Sequence, residues 1–342
     1  MGQQRIFSNL WIACTTVLLL LAALWGYLFS YPAAPVDPAW ELPAANTIPE
    51  GAVTVRFAGT TTLLVSDGET DFMFDGWFSR PGPITLLTSE FSPDLANIEY
   101  GLDAMDVDSL AAVLPVHSHY DHAMDTPEVA RRTHAVVYGS EATANIARGW
   151  GLPEEQIAVL ENRVPLQLGQ FTVTPIESVH MLYENPEMVD AIITNSEITE
   201  PLVPPATLTD YKLGKAYVFH VEHPKGSFLL VGSAGFIPGL LAGIDVDVIF
   251  LGTGGLGTKS DDYRELYWIE TVEVTQPERV IPVHYDSLTG PLQGPMTGEV
   301  RISGLVAPGA EKTLAFLKAK QAAHPDTGFG TLPRFAPVVL FQ

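Results

Sequence analysis

The apolar run Val113-Leu-Pro-Val116 ends in His117-Ser-His119-Tyr120-Asp121-His122, which places four potential metal ligands within six residues. The run reads as a buried strand. Side chains at i and i+2 leave a strand end on the same side, so His117 and His119 can share one point. A sharp turn after them lets Asp121 and His122 face a second point nearby. One loop therefore feeds two metal positions, and the rest of the chain must supply the remaining ligands. His180 and His284 also sit at the ends of predicted strands and are the natural completions. A lone histidine at a strand end is ordinarily a buried, hydrogen-bonded side chain, but that reading does not account for this density of ligands. Cys14 is the only cysteine, so no thiolate metal site and no disulfide can form within one chain. Any metal is held by histidine and carboxylate, donors that zinc accepts.

The pattern on either side of this turn has two halves. Strands are predicted at 53–57, 61–65 and 71–75, with turns at Gly59 and Asp67-Gly68, as an antiparallel meander. Residues 76–100 show little periodicity. A strand over 110–116, a helix over 126–132, a strand over 135–138 and a helix over 140–150 follow, the last with Ser140 as cap and Gly151 as stop. The second half has strands over 167–179, 216–221, 227–231, 247–251, 279–283 and 337–341, with helices over 261–274 and 311–322. His223-Pro-Lys-Gly226 closes a hairpin, and His134 starts a strand. Residues 181–215, with Pro186, Pro201, Pro204 and Pro205, form a long irregular insertion of the kind that serves as a lid. Two mixed β-sheets face to face, flanked by helices, would bring the histidine-bearing strand ends to one edge.

These residues resemble the metallo-β-lactamase-fold hydrolase superfamily. The likeness rests on His117-Ser-His119-Tyr-Asp121-His122 followed by His180 and His284, and it covers essentially all of 52–342 in order and spacing. Gly59 after a strand and Phe74-Asp75 closing the meander are similar to the lactonase-like branch that includes ascorbate-6-phosphate lactonase. The resemblance implies an α/β fold, an αββα sandwich. It implies one metal on His117, His119 and His180, a second on Asp121, His122 and His284, and a buried Asp75 that braces the metal loop. The superfamily commonly bridges its two metals with an Asp after a strand of the second half. Here that place reads Gly232-Ser233-Ala-Gly235, and Ser233 cannot bridge two cations as a carboxylate does. One or two Zn²⁺ ions are therefore expected, with Ser233 near the ligands rather than among them.

Composition sets the address and the partners. Leu10 to Tyr31 is apolar without a charge, long enough to cross a bilayer as a helix. Arg5 is the sole basic residue before it, so the N-terminus is expected in the cytoplasm and the domain outside, periplasmic in a bacterium. The competing reading is a signal peptide, cleaved to release a secreted domain; Pro32-Ala-Ala34 is a poor cleavage site for it. Cys14 stands too early in the apolar run for a lipoprotein signal. The chain divides into a membrane anchor or signal segment (1–31), a Pro-rich linker (32–50) and a hydrolase domain (51–342). With 18 Lys and Arg against 40 Asp and Glu, the net charge of −22 excludes nucleic acid as a partner and leaves a small-molecule substrate.

The expected chemistry is hydrolysis of an ester, a lactone or a related bond by a metal-bound hydroxide, with Asp121 orienting the nucleophile. The alternatives are a membrane-tethered phosphodiesterase of the same fold, a β-lactamase, an iron-dependent redox enzyme, and a metal-stabilised binding protein without turnover. Tyr120, Thr253, Tyr285 and Trp77 are candidates to touch substrate. His220 and His223 fall on a hairpin away from the strand-end edge. Gly252-Thr-Gly254-Gly-Leu-Gly257 has the G-x-G-x-x-G spacing but no acidic residue at the end of a following strand, so the glycines read as a loop near the metal site.

Overall fold

The computed structural model describes residues 2–181, 196–305 and 309–342. Much of the insertion expected as a lid, residues 182–195, lies outside the described residues.

The meander is β1 (Val53–Gly59), β2 (Thr62–Ser66) and β3 (Asp71–Phe74), antiparallel throughout. Beyond it β4 (Ala112–Leu114), β5 (Val136–Gly139) and β6 (Ile157–Val159) add in parallel, and β14 (Val338–Phe341) closes the other side against β1. The first sheet thus runs β14-β1-β2-β3-β4-β5-β6. The second contains β7 (Leu166–Leu168), β8 (Phe171–Ser178), β9 (Ala216–His223), β10 (Gly226–Val231), β11 (Val248–Gly252), β12 (Arg279–Val283) and β13 (Gly328–Phe329). Its order is β13-β12-β11-β10-β9-β8-β7, antiparallel from β7 to β10 and parallel from β10 to β13.

Alternation on the strands builds three layers of core. Leu63 and Val65 of β2 point between the sheets with Phe72 and Phe74, while Leu64 points outward with Met73. Opposite them stand Phe171, Phe219, Phe228 and Phe250. The rings of Phe72 and Phe171 meet edge-on at 5.1 Å. Each such ring, wholly buried, contributes about 2–3 kcal/mol of burial free energy. Outside the first sheet lie α3 (Leu95–Ala104), α5 (Thr126–Thr133) and α6 (Glu141–Trp150), packed through Ile98, Leu102, Val129 and Ala147. Outside the second lie α7 (Asp261–Trp268), which continues as a π-helical turn over Ile269–Glu273, and α8 (Ala310–Ala323). They pack through Tyr267, Trp268, Val272 and Leu317. The αββα sandwich is the architecture the sequence pattern implies.

Several elements differ from expectation. The stretch 76–100 holds the six-residue α2 (Pro83–Thr88) and most of α3. Asp94 caps α3 by accepting from the N–H groups of Ala96 and Asn97, and only Ile98, Gly101 and Leu102 are buried, too few positions to declare a period. His134 does not start a strand; it is the left-handed C-cap of α5, with φ +60°. The Pro-rich segment 32–50 is extended but docked. Trp40 is buried with its indole N–H on Gln321, and the Leu42 N–H donates to Thr331 O. The N-terminal helix α1 (Gly2–Leu28) is the one candidate membrane span among the described residues. Its window Trp11–Leu28 has mean hydropathy 1.9, and none of it is buried.

Candidate metal centre

The strand ends of both sheets meet at one edge, and the ligand-bearing residues lie there. His117 follows β4. His119 caps a single helical turn, α4 (Tyr120–Ala123), which turns Asp121 and His122 back toward the strand ends. His180 follows β8, and His284 follows β12. The donor atoms of His117, His119 and His180 lie within 4.8 Å of one another, and those of Asp121, His122 and His284 do likewise. Asp121 Oδ2 is 3.5 Å from His122 Nε2 and 3.3 Å from His284 Nε2. The two groups adjoin, since the rings of His117 and His122 are 4.0 Å apart.

The rings are aimed by their other nitrogens. His122 Nδ1 lies 2.8 Å from Asp75 Oδ2, and His180 Nδ1 lies 2.7 Å from Met181 O, so each leaves Nε2 for the centre. Asp75 does more than orient one ring. Its Oδ1 accepts the Val116 N–H at 2.9 Å, and its Oδ2 also accepts the Thr61 hydroxyl, so one buried carboxylate fastens the segment after β4, the β1–β2 turn and the ligand turn together. The backbone carries strain here. Thr60, Asp75 and His284 have φ of 54°, 59° and 58°, in the left-handed region. Such residues cost on the order of 1–3 kcal/mol each and persist where their surroundings hold them. Thr60 is held at both ends: its N–H donates to Asp286 Oδ1 at 2.7 Å, and its carbonyl accepts the His284 N–H at 2.6 Å.

The electrostatics differ between the groups. Burial, aided by the neighbouring imidazoles, pushes His117 and His119 well below the ordinary histidine range, and burial takes His180 to about 4. These three are neutral near pH 7 and can offer lone pairs. Burial opposes the charge on Asp121, but His122 and His284 outweigh it and hold the carboxyl far below its usual value. Burial likewise works against a charged His122, yet Asp121 and Asp75 prevail and raise it. His119 Nε2 is buried with no hydrogen-bond partner among the described residues. A buried nitrogen lone pair beside two other neutral imidazoles fits a divalent cation, as does the all-nitrogen and oxygen donor set.

No family model matches the chain. A UPF0173 metal-dependent hydrolase of Pyrobaculum islandicum is 22% identical over 256 residues, covering 73% of this chain and 92% of that protein. One of Myxococcus xanthus is 28% identical over 150 residues, 44% of this chain and 46% of that protein. Among solved structures, the metallo hydrolase Igni18 of Ignicoccus hospitalis aligns over 85% of this chain and 99% of its own, with a TM-score of 0.51 and 15% identity. These relatives and the shared fold support the metallo-β-lactamase-fold superfamily and a metal-dependent hydrolase.

Ser233, at the place where the resemblance implies a bridging aspartate, makes a backbone contact. Its Oγ accepts the Met181 N–H at 3.1 Å, which ties down the residue after His180. Thr253 donates its hydroxyl to Val283 O at 3.0 Å, the residue before His284. Tyr120 is buried against Trp77 and Phe91 in an apolar cluster with Tyr211 and Leu202. The Tyr285 ring lies tilted against Phe57 at 6.1 Å, with its hydroxyl 3.4 Å from Met296 Sδ. His220 and His223 lie on β9, in the hairpin, apart from the two ligand groups.

The sequence placed Gly254 in a loop near the metal site, but not the close contacts that require glycine there and at Gly235. A Cβ on Gly254 would stand 2.6 Å from His284 Nδ1, and one on Gly235 would stand 2.2 Å from Val179 O and 2.7 Å from the carbonyl carbon of His180. Both loops follow parallel-sheet strands at the ligand edge, and that position is the signal that points to them. The G-x-G-x-x-G spacing thus reflects close approach to a histidine ring rather than a cradle for phosphate.

Proposed function

We propose that this chain is a hydrolase of esters, lactones or related bonds that holds one or two divalent cations, zinc first among them, on His117, His119 and His180 and on Asp121, His122 and His284. The observation that carries the reading is the pair of adjoining donor triads, with the outer nitrogens of His122 and His180 already engaged by Asp75 and Met181 O. Histidine and carboxylate donors, with three of the imidazoles neutral, suit zinc. A bound cation of this kind lowers the pKa of water toward neutrality and polarises the bond to be cleaved.

The chain's own residues do the rest. Asp121, kept ionised, accepts a hydrogen bond from the attacking water and orients it. So strong an acid holds a proton poorly, so the proton passes on rather than being stored there. His284 and His122 flank that carboxylate and fix its rotamer. Asp75 keeps the His122 ring in one tautomer. Ser233 steadies the His180 turn, and Trp77, Tyr120 and Phe91 form an apolar wall beside the ligands. No side-chain nucleophile takes part, so no covalent intermediate forms. The division into anchor (1–31), Pro-rich segment (32–50) and hydrolase domain (51–342) belongs to the same proposal. The helix α1 serves as a retained anchor, with its N-terminus in the cytoplasm and the domain outside. The charge of −22 argues for a small molecule rather than nucleic acid.

The test is metal counting on the purified full chain beside an ester, lactone and phosphodiester panel. Turnover of an ester or lactone that falls to background in His119→Ala, with the circular dichroism spectrum unchanged, is the expected result. Undiminished turnover in that variant sinks the proposal.

A further inference from the structure

The place where α1 leaves the domain bears on what reaches the metal centre. The chain emerging from the helix pairs with the segment that follows His284: Ile302 N–H donates to Leu28 O, Arg301 N–H to Ser30 O, and Gly298 N–H to Pro32 O, at 2.9, 3.1 and 2.9 Å. Ala33 bridges Thr297 in antiparallel fashion, and the Tyr31 hydroxyl donates to Thr289 O at 2.7 Å. The Arg301 guanidinium stacks 4.8 Å over the Tyr27 ring. So the last turn of an apolar, unburied helix is fastened to the loop that begins at a ligand.

That loop also reaches the apolar wall of the site. Leu288, one residue before the partner of Tyr31, packs in the cluster of Trp77, Phe91 and Tyr120, and so does Leu86 of α2. The helix α2, Pro-Ile-Thr-Leu-Leu-Thr, buries no residue, and its Ile84 and Leu87 are 52% and 76% exposed. Val203, 66% exposed, lies near Ala206, whose backbone pairs with Phe91 just beyond α2. Ile84 and Leu87 flank Leu86, and Val203 follows Leu202, so all three exposed side chains stand beside residues of the cluster that Leu288 joins to the Tyr31 segment. Neighbouring apolar groups without cover on a surface this acidic call for an apolar contact. The helix supplies one by holding the domain at the bilayer.

We propose that this rim, Ile84, Leu87 and Val203, rests on the bilayer surface and that the metal centre takes an amphipathic ester whose apolar tail stays in the membrane. The inference rests on the anchor reading above. With a net charge of −22 the chain is repelled by anionic lipid, so the surface it meets is zwitterionic or neutral.

The experiment uses the full chain in phosphatidylcholine vesicles. Cys14→Ser removes the only cysteine, and Leu87→Cys or Val159→Cys then carries one environment-sensitive fluorophore; Val159 is exposed on β6 at the far edge of the first sheet. The expected result is a blue-shifted emission, quenched by brominated lipid, at position 87 and aqueous emission at 159. In parallel, Leu87→Asp is compared with wild type on p-nitrophenyl palmitate held in the vesicles and on soluble p-nitrophenyl acetate. A fall of at least fivefold in kcat/KM on the palmitate, with the acetate rate unchanged, is expected. Loss of the chain from floated vesicles after an alkaline carbonate wash overturns the anchor and this inference together. Retention with aqueous emission at 87 overturns the docked rim alone. A shielded label with equal palmitate rates in variant and wild type overturns the membrane-held substrate. No hydrolysis of either ester by wild type overturns the ester assignment here and leaves the fluorophore to decide the surface.

Discussion

The two donor triads each take two ligands from the same six-residue turn and a third from a distant strand end, yet are built differently. His117, His119 and His180 form a neutral group whose support is backbone: His180 leans on Met181 O, and the Met181 N–H leans on Ser233. Asp121, His122 and His284 form a charged group clasped by a second buried carboxylate, Asp75. Two acids beside two imidazoles attract a cation more strongly and hold a proton more strongly, so the second group's affinity for metal depends more on its supports. The lesson is that ligand identity alone does not rank the sites; the groups behind the ligands do.

The largest effect is expected from Asp75→Asn. The amide keeps the shape but forfeits the charge and one acceptor, and His122 loses the partner that fixes its tautomer. We expect metal affinity of the Asp121 group to fall about 10–100-fold, as for other carboxylates behind metal-bound histidines, with the His117 group nearly unaffected. Isothermal titration with Zn²⁺ resolves the two steps; equal weakening of both would show the triads to be one unit. Gly254→Ala comes next. Its methyl meets His284 at 2.6 Å, so the ring or its strained backbone must move, and about tenfold weaker binding at the same group is expected. Ser233→Ala touches the other triad. It removes one hydrogen bond to Met181, worth about 1 kcal/mol, so a loss of up to about fivefold confined to the His117 group is expected in the same titration.

These differences also mark what was legible beforehand. The strand before His117, the ligand spacing and the strand-end histidines all express local pattern, period 2 followed by ligands, and the sandwich follows from it. Asp75 was legible through the resemblance. The roles of Thr60, Thr61, Gly235 and Gly254 were not, although the Gly254 loop was placed near the metal site, because each acts on a residue of another element: the Thr60 carbonyl on His284, the Thr61 hydroxyl on Asp75, the glycines by making room. The helix α3 escaped because tertiary contacts, with Gly101 against the Phe78 ring, support so short an apolar face. The docking of 32–50 escaped because proline-rich chain carries the same local signal whether it is free or packed.

The smallest expected effect separates fold from site. Asp125 is buried outside both triads and anchors the segment after β3: its carboxylate accepts the N–H groups of Phe78 and Ser79 at 2.8 and 2.6 Å and the Ser79 hydroxyl at 2.7 Å. Burial outweighs these bonds and the nearby Arg80, and raises the acid to about 6 from 3.8. A raised folded-state pKa means that between about 4 and 6 the folded chain binds more protons than the unfolded one. This group's contribution to stability is therefore complete below about 4 and is lost as the pH rises through about 6. Asp125→Asn cannot titrate. Urea unfolding midpoints of the variant, relative to wild type, should lie lowest at acid pH and recover as the pH passes 6, while the two zinc affinities keep their wild-type ratio. A midpoint difference that stays flat from pH 4 to 7 would mean that the three hydrogen bonds keep Asp125 ionised despite its burial.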